Sequence, residues 1–428
     1  MTLTKKLGVK QLRPFLPLLV VYVILILFFS PNQLVGDETR YMYYANNITE
    51  GFYADSVDPW IRNGPGYPLA IVLPVLLKTP FLFIRLLNIV FLAMALWSFY
   101  KLLAMYIKSP RIVITICYVL GLYPPLARSV TGILSESFSI FLVCGFLYFF
   151  IRLCTHQLKQ RRNLVLSGLF LGILTLTKVI FGYVILLGIL GCLVTYIFNR
   201  SKKVKLSLFT FIISFSLCIP YLAYTQHVTG KKFLWGTHGG EMLYWRSTPF
   251  ENEYGDWISA DIITGKSESN YIGTESLIAN HGKFIKSLEP YSALERDSIY
   301  QEKAIENIKT YPTKFVKNTV ASGFRLFYNY PYTHMPLKVS TYFYLVPNTF
   351  LIVFLLITSF LIVTRLKIVP FEIYVLGLMA LIFMGGLTLL DGRVRHLLPI
   401  VPVLIFIMAY TLNRFVQLKI ITRETQSP

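Results

Sequence analysis

Apolar runs alternate with short polar connections along most of the chain, and their lengths can be compared with the thickness of a bilayer. A helix needs about 20 residues to cross the hydrocarbon, somewhat fewer when its polar ends sit in the interface. On that measure, spans are expected near Leu16 to Asn32, Phe81 to Leu103, Ile112 to Arg128, Phe138 to Leu153, Leu164 to Thr177, Phe181 to Phe198, Leu206 to Tyr224, Tyr342 to Val363, Phe371 to Leu390 and Leu397 to Leu412. Tyr67 to Leu77 is apolar but too short and carries Pro68 and Pro74, so a re-entrant or interfacial segment is expected there. The first run follows Lys5, Lys6, Lys10 and Arg13 as a signal peptide would, but Phe28-Phe29-Ser30-Pro31 offers no small-residue cleavage pattern, so a retained helix is expected. The pattern predicts a polytopic α-helical membrane protein with a bundle of about ten helices.

Two polar regions interrupt it. The first, 34–66, contains Tyr41, Tyr44, Ala45 and Ile48 at i, i+3, i+4 and i+7, which predicts a short helix lying on the membrane. The second, 225–341, is long enough for a small outer domain. It opens with the glycine-rich, aromatic G-T-H-G-G-E-M-L-Y-W and Y-G-D-W and then turns helical, with Val316, Val320, Phe324 and Phe327 at i, i+4, i+8 and i+11. The chain thus divides into an N-terminal transmembrane module (1–224), an outer domain (225–341), and C-terminal helices with a basic tail (342–428). No internal repeat is visible.

Composition and charge refine this picture. The 428 residues are 55% hydrophobic and only 14% charged, well below the roughly 25% charged of a soluble domain. The net charge of +20 could suggest nucleic acid, but the basic residues cluster between apolar runs: Lys101, Lys108 and Arg111; Lys159, Arg161 and Arg162; Arg200, Lys202, Lys203 and Lys205; Arg365 and Lys367; Arg414, Lys419 and Arg423. If these loops and both termini are cytoplasmic, the positive-inside rule holds throughout. All of the 21 acidic residues except Glu372 and Glu424 then fall on the opposite, outer face. The five cysteines lie in or at the ends of apolar runs, which supports neither a disulfide framework nor a Cys metal site.

Charges at the expected outer ends of spans are the candidates for chemistry: Arg85, Arg128, Glu136, Lys178, Asp391, Arg393 and Arg395. Taken singly, each is equally well a snorkelling or ion-paired helix end. Together they form a cationic ring with a few carboxylates at one lipid boundary, a setting suited to an anionic phosphate on a lipid stem. Asp37 and Glu38 open the short helix of the first outer loop on that same face. There the helix dipole would keep a carboxylate ionised, as a general base requires, although Asp37 would equally serve as an N-cap.

These residues resemble the GT-C superfamily of polyprenyl-phosphate-sugar-dependent membrane glycosyltransferases, particularly bacterial relatives of protein O-mannosyltransferases and of the aminoarabinose lipid A transferase. The likeness is carried in order by G-D-E-T-R-Y after span one, N-G-P-G-Y-P-L-A (63–70), F-I-R-L-L-N (83–88), L-S-E-S-F (134–138), T-K-V-I-F-G (177–182) and D-G-R-V-R-H-L-L-P-I-V-P (391–402). In the last of these, His396 stands where an aromatic is common. The resemblance implies inverting transfer of a single sugar from a polyprenyl-phosphate donor to a glycan, lipid or protein hydroxyl at the outer face of the plasma (inner) membrane. It gives Asp37 the role of base and Glu38 a place beside it. Arg85, Lys178, Arg393 and Arg395 would bind the donor phosphate, with Glu136 and Asp391 supporting the acceptor or a metal. No cofactor is required by this reading, and a divalent cation is optional.

Other readings use the same charges. A flippase or transporter of lipid-linked sugar predicts polar residues through the bilayer centre, of which these spans are nearly free. A polysaccharide polymerase or ligase is expected to depend on outer Arg and His more than on an Asp-Glu pair. His238, His281, His334 and His396 are scattered, a pattern commoner for interfacial hydrogen bonding than for zinc. Asn47-Ile48-Thr49 matches a glycosylation sequon short enough to arise by chance.

Overall fold

The computed structural model describes residues 11–266, 272–337 and 339–416. The terminal charges Lys5, Lys6, Lys10, Lys419, Arg423 and Glu424 lie outside the described residues. Eighteen α-helices are described. The N-terminal part comprises α1 (Leu16–Phe29), α2 (Asp37–Thr49), α3 (Gly66–Leu76), α4 (Phe81–Leu103), α5 (Pro110–Gly121), α6 (Pro124–Ser129), α7 (Glu136–Thr155), α8 (Gln160–Thr177), α9 (Phe181–Phe198) and α10 (Lys202–Thr229). The polar region holds α11 (Gly239–Arg246), α12 (Ala260–Ile263), α13 (Thr274–Ser287), α14 (Ala293–Thr310) and α15 (Pro312–Tyr328). The chain ends with α16 (Val339–Thr364), α17 (Phe371–Leu389) and α18 (Val401–Phe415).

Among the described residues, seven stretches are long and apolar enough to cross a membrane: α4, α7, α9, α10, Thr341–Thr364 of α16, α17, and Val394–Phe415, which joins a 3-10 segment to α18. This is a multi-pass membrane protein. Three of the ten expected spans fall short of that standard. α1 has only 14 helical residues, α8 opens with Gln160, Arg161 and Arg162, and Ile112 to Arg128 is broken where Pro124 and Pro125 start a new short helix after Gly121. α10 continues past Tyr224 to Thr229 and ends on Gly230 at φ 69°.

The spans differ sharply in how much protein surrounds them. α7 and the Val394–Phe415 span are 78% and 83% buried, while Thr341–Thr364 is only 17% buried and lies at the periphery. Between apolar helices in lipid, association depends on close packing and small residues. α8 meets α10 in this way: a Cβ at Gly168 or Gly172 would collide with Ile213 or Leu217, and Ser214 Oγ donates to Gly168 O at 3.0 Å. On the side away from the cavity described below, Glu372 at the start of α17 accepts from Lys203 Nζ at 2.9 Å.

The stripe on α2 does not face lipid. Tyr41, Tyr44 and Ala45 are buried, Tyr44 OH donates to Trp60 O at 2.9 Å, and Tyr41 OH shares a 2.8 Å hydrogen bond with Ser135 Oγ. Their ring bodies face protein while each hydroxyl has a partner, so the tyrosines are satisfied without water or headgroups. α3, expected as re-entrant or interfacial, is an 11-residue helix packed against α2, α4 and α8. Asn47 of the sequon is buried, with its amide donating to Tyr53 O at 3.0 Å.

Candidate functional site

A cavity of about 430 Å³ opens where α2, the heads of α7 and α9, and the segment after α17 meet the polar region. Glu136 is the first residue of α7, Lys178 follows the last residue of α8, and Asp391, Arg393 and Arg395 occupy the irregular link between α17 and α18. Helix ends from distant parts of the sequence therefore deliver their charges to one place. The two most enclosed spans, which begin with Glu136 and Val394, contribute Glu136, Arg395 and His396 to its lining.

Asp37 enters from the first turn of α2. It is not the helix cap: Gly36 precedes it at φ 58°, ψ −117°, a conformation suited to glycine, and no side chain caps the helix. Asp37 Oδ1 accepts from Arg40 Nη2 at 2.8 Å, and Oδ2 accepts from Arg395 Nη2. Burial pushes the Asp37 carboxyl upward, but Arg395, Arg40 and Arg393 together hold it well below the usual carboxylate range.

Glu136 Oε1 accepts from Lys178 Nζ at 3.2 Å, while its Oε2 is buried without a protein partner. Burial would lower the Lys178 ammonium, but neighbouring Glu136 outweighs it and keeps the group cationic. Arg393 Nε donates to Asp391 at 3.1 Å, and its guanidinium lies 5.1 Å from the Trp257 ring centre. For Asp391, burial again acts upward, and Arg393, His396 and Arg395 bring the carboxyl below its ordinary value. His396 Nδ1 faces the Asp391 carbonyl at 3.1 Å.

Of the residues singled out in the sequence, Asp37, Glu136, Lys178, Asp391, Arg393, Arg395 and His396 all line this cavity. Glu38 and Arg85 do not. Glu38 Oε1 accepts from Ile133 N at 2.7 Å and Arg85 Nη2 at 3.2 Å, and Oε2 accepts from Val35 N at 3.0 Å. Arg85 completes the brace by donating to Pro31 O at 2.7 Å. Expected as a catalytic residue beside the base and as a phosphate ligand, these two form a buried pair that joins the first loop to α4 and the 130–133 turn. Arg128 is exposed and also outside the cavity.

Several lining residues were not predicted. Arg40 donates both to Asp37 and to Asn63 Oδ1. Arg62 pairs with Glu241, with Trp60 and Trp257 rings 5.7 and 5.9 Å from its guanidinium. His238 lines the cavity with Nδ1 unpartnered, and burial, assisted by Arg62 and Arg40, lowers its imidazole to about 3, leaving it neutral. The loop carrying Asn63 rests directly on the end of α8. A Cβ at Gly64 would lie 2.1 Å from Leu176 O, and one at Gly66 2.4 Å from Thr177 Oγ1, immediately before Lys178.

Metal ligation has no ready cluster: among the described residues no three His, Cys, Asp or Glu side chains gather as a cation site. His281 is buried in the polar region between Glu253 (2.9 Å) and Tyr244 OH (2.6 Å), and His334 Nε2 meets Ser276 Oγ at 3.0 Å. All five cysteines are buried and unpaired. Chemically, the cavity can bind an anion, hold carboxylates ionised, and offer unpartnered Glu136 and His238 atoms to hydroxyls.

No family model matches the chain, and no curated protein matches it. Among solved structures, the chain is similar to the S. cerevisiae protein O-mannosyltransferase Pmt1-Pmt2 complex bound to the sugar donor, at 15% identity and a TM-score of 0.40. That match covers 57% of this chain and 37% of the other, so the chain spans little more than a third of that protein. It is also similar to ArnT from Cupriavidus metallidurans, at 12% identity in both the apo state and the form bound to undecaprenyl phosphate. The TM-scores there are 0.39 and 0.41, covering 92% and 94% of this chain and 76% and 77% of ArnT. Likenesses at this level leave the functional reading to the cavity itself.

Proposed function

We propose that this protein is an inverting glycosyltransferase that moves a single sugar from a polyprenyl-phosphate donor to an acceptor hydroxyl, with the cavity on the outer face of the plasma membrane. The observation that carries the reading is that Arg395, which donates to Asp37, lines the same cavity as the cations Lys178 and Arg393. A phosphodiester entering that wall competes with Asp37 for Arg395. Phosphate binding thus loosens the carboxylate at the moment a base is needed.

In the reaction, the acceptor oxygen forms a bond to the anomeric carbon as the bond from that carbon to the phosphate oxygen breaks. The hydroxyl proton passes to Asp37, and polyprenyl phosphate leaves with one additional negative charge. Arg393, Arg395 and Lys178 meet that charge, which grows in the transition state, so their stabilisation is greater there than in the bound donor. Asp37 is a weak base while its carboxyl is held low; the acceptor hydroxyl becomes acidic only as its bond to carbon develops, which makes late proton transfer workable. Glu136 Oε2 accepts a hydroxyl of the sugar or acceptor. Arg85 and Glu38 have no part in the chemistry. If a divalent cation takes part, Glu136, Asp297 and Asp391 are the lining carboxylates available beside Asp37.

The lipid chain has an apolar route. Ile180, Tyr183, Phe383 and Leu387 form the cavity wall between α9 and α17, and farther along the same two helices Val184, Gly188, Met379 and Ile382 border a second, apolar cleft of about 160 Å³.

The test is transfer from a panel of radiolabelled polyprenyl-phosphate sugars to cell-envelope acceptors in proteoliposomes, comparing wild type with Asp37→Asn. The expected result is transfer by wild type and loss of about 10²–10⁴-fold in the variant, with polyprenyl phosphate still bound. Undiminished transfer by the variant removes Asp37 as base. Lipid-linked sugar crossing the bilayer without transfer would establish a flippase instead.

A further inference from the structure

The stripe Val316, Val320 and Phe324 on α15 is not used by the core. These side chains are 59%, 54% and 56% exposed, whereas the opposite face of the same helix buries Asn318, Ala321, Ser322, Arg325 and Leu326. Three large apolar residues in line on one helix exceed the scatter of single exposed hydrophobics normal for a protein surface.

The position of α15 identifies what covers the stripe. At its C-terminal end the carbonyl of Phe327 accepts from Asn348 Nδ2, and Asn348 Oδ1 in turn accepts from Tyr123 OH at 2.7 Å. Asn348 lies seven residues inside the span Thr341–Thr364, which is about 10 Å along a helix rising 1.5 Å per residue. Gly323 faces Thr388, one residue from the end of the span Phe371–Leu389. α15 is therefore beside the cavity-side ends of two spans. Both of those spans also leave large apolar side chains exposed, Phe343, Val346 and Phe350 on α16 and Leu381 and Leu389 on α17.

We propose that α15 is an in-plane interfacial helix, with Val316, Val320 and Phe324 inserted among the upper acyl chains on the cavity side of the bilayer. Lys317, exposed at the edge of the stripe, reaches the lipid phosphates. The partner is the lipid surface. The contact has a consequence for the cavity, because Ser322 on the buried face of α15 supports the link that carries the cations. A Cβ at Gly392 would lie 2.4 Å from Ser322 O. The bilayer thus sets the depth at which Arg393 and Arg395 are held.

Single cysteines at positions 316, 320 and 324, labelled with a nitroxide in the full chain, test this in phosphatidylethanolamine–phosphatidylglycerol proteoliposomes. The five native cysteines are buried, and unmutated protein taken through the same labelling supplies the background. A fourth label at exposed Glu302 on α14 marks the aqueous side. Collision with oxygen is expected to exceed collision with a water-soluble nickel chelate at all three sites, most strongly at 324, with the reverse at 302. Nickel access at the stripe places α15 in water and overturns the proposal. Low access to both reagents overturns it equally, since a second copy or another protein then covers the face. If one variant is poorly folded, the remaining stripe positions give the same discrimination. The readout needs no substrate and is independent of glycosyl transfer.

Discussion

Arg395 Nη2 donates to Asp37 Oδ2, joining two side chains 358 residues apart at the first turn of α2 and the entrance to the last span. Asp37 is thereby tied to a residue that also belongs to the cationic wall. Arg395→Gln removes the strongest attraction that counters burial at Asp37, so its carboxyl should rise. Below neutral pH a larger fraction would then be protonated and unable to accept a proton. The expected outcome is a fall of about 10²–10³-fold in kcat/KM, the scale of losing one charge-stabilising donor, together with an acid limb displaced to higher pH. A pH–rate profile of the variant checks both; an unmoved limb would separate Asp37 from the titration.

The same depressed carboxyl predicts a pH dependence of stability. Asp37 binds its proton less readily folded than unfolded, so its contribution is present above the unfolded value of about 3.9 and is lost as pH falls through the lower folded value. Wild type should therefore lose thermal stability more steeply than Asp37→Asn below about pH 4, with the two running parallel between pH 5 and 7. Thermal unfolding in detergent across that range checks the sign. A steeper loss in the variant contradicts the assignment.

Glu38 should behave as a structural residue. Glu38→Ala leaves Arg85 buried without its carboxylate and orphans Ile133 N and Val35 N, a class of change that costs about 3–5 kcal/mol. A large drop in Tm or in folded yield is expected, while the protein that does fold retains most of its turnover per molecule. Turnover lost at an unchanged Tm would return Glu38 to the chemistry.

Arg246 offers a test of how the cation-bearing link is aimed. Fully buried and, among the described residues, without a carboxylate partner, it donates to Asn318 O (3.0 Å), Ser322 Oγ (2.6 Å) and Leu390 O (3.0 Å), one residue before Asp391. Burial, reinforced by Arg325, lowers its guanidinium to about 9, so it remains charged at neutral pH. Arg246→Gln is expected to raise the donor KM about 10-fold or more, the scale of one lost charged hydrogen bond, with partial recovery in Arg246→Lys. Equal KM values in a folded Arg246→Gln protein would show that the link holds its geometry unaided.

The charged helix ends were legible because they gather at one end of the expected spans, and Glu136, Lys178, Asp391, Arg393 and Arg395 share one cavity. Neighbouring residues were harder to separate. Asp37 and Glu38 are adjacent, yet successive helical residues point about 100° apart, so one meets the cavity and the other the interior. Arg85 sat at a span end like the others, but its direction depended on a carbonyl at Pro31, which no local pattern records. The stripes on α2 and α15 had the same periodicity and opposite fates, because what lies above a helix is decided by its neighbours. Arg40, Arg62, Trp257 and His238 belong to polar segments in which charges and aromatics are ordinary, and only the fold turns them to one wall.

The seating of Gly64 and Gly66 on the backbone of Leu176 and Thr177 gives these positions a reach beyond their own chemistry. Neither glycine has a side chain to offer a ligand, yet one added methyl group would wedge the first loop away from the end of α8. Asn63, with the Arg40 it steadies, would part from Lys178. In a descendant sequence such a change could endure only with a matching retreat at 176 or 177, so these two short segments are bound to drift together or not at all.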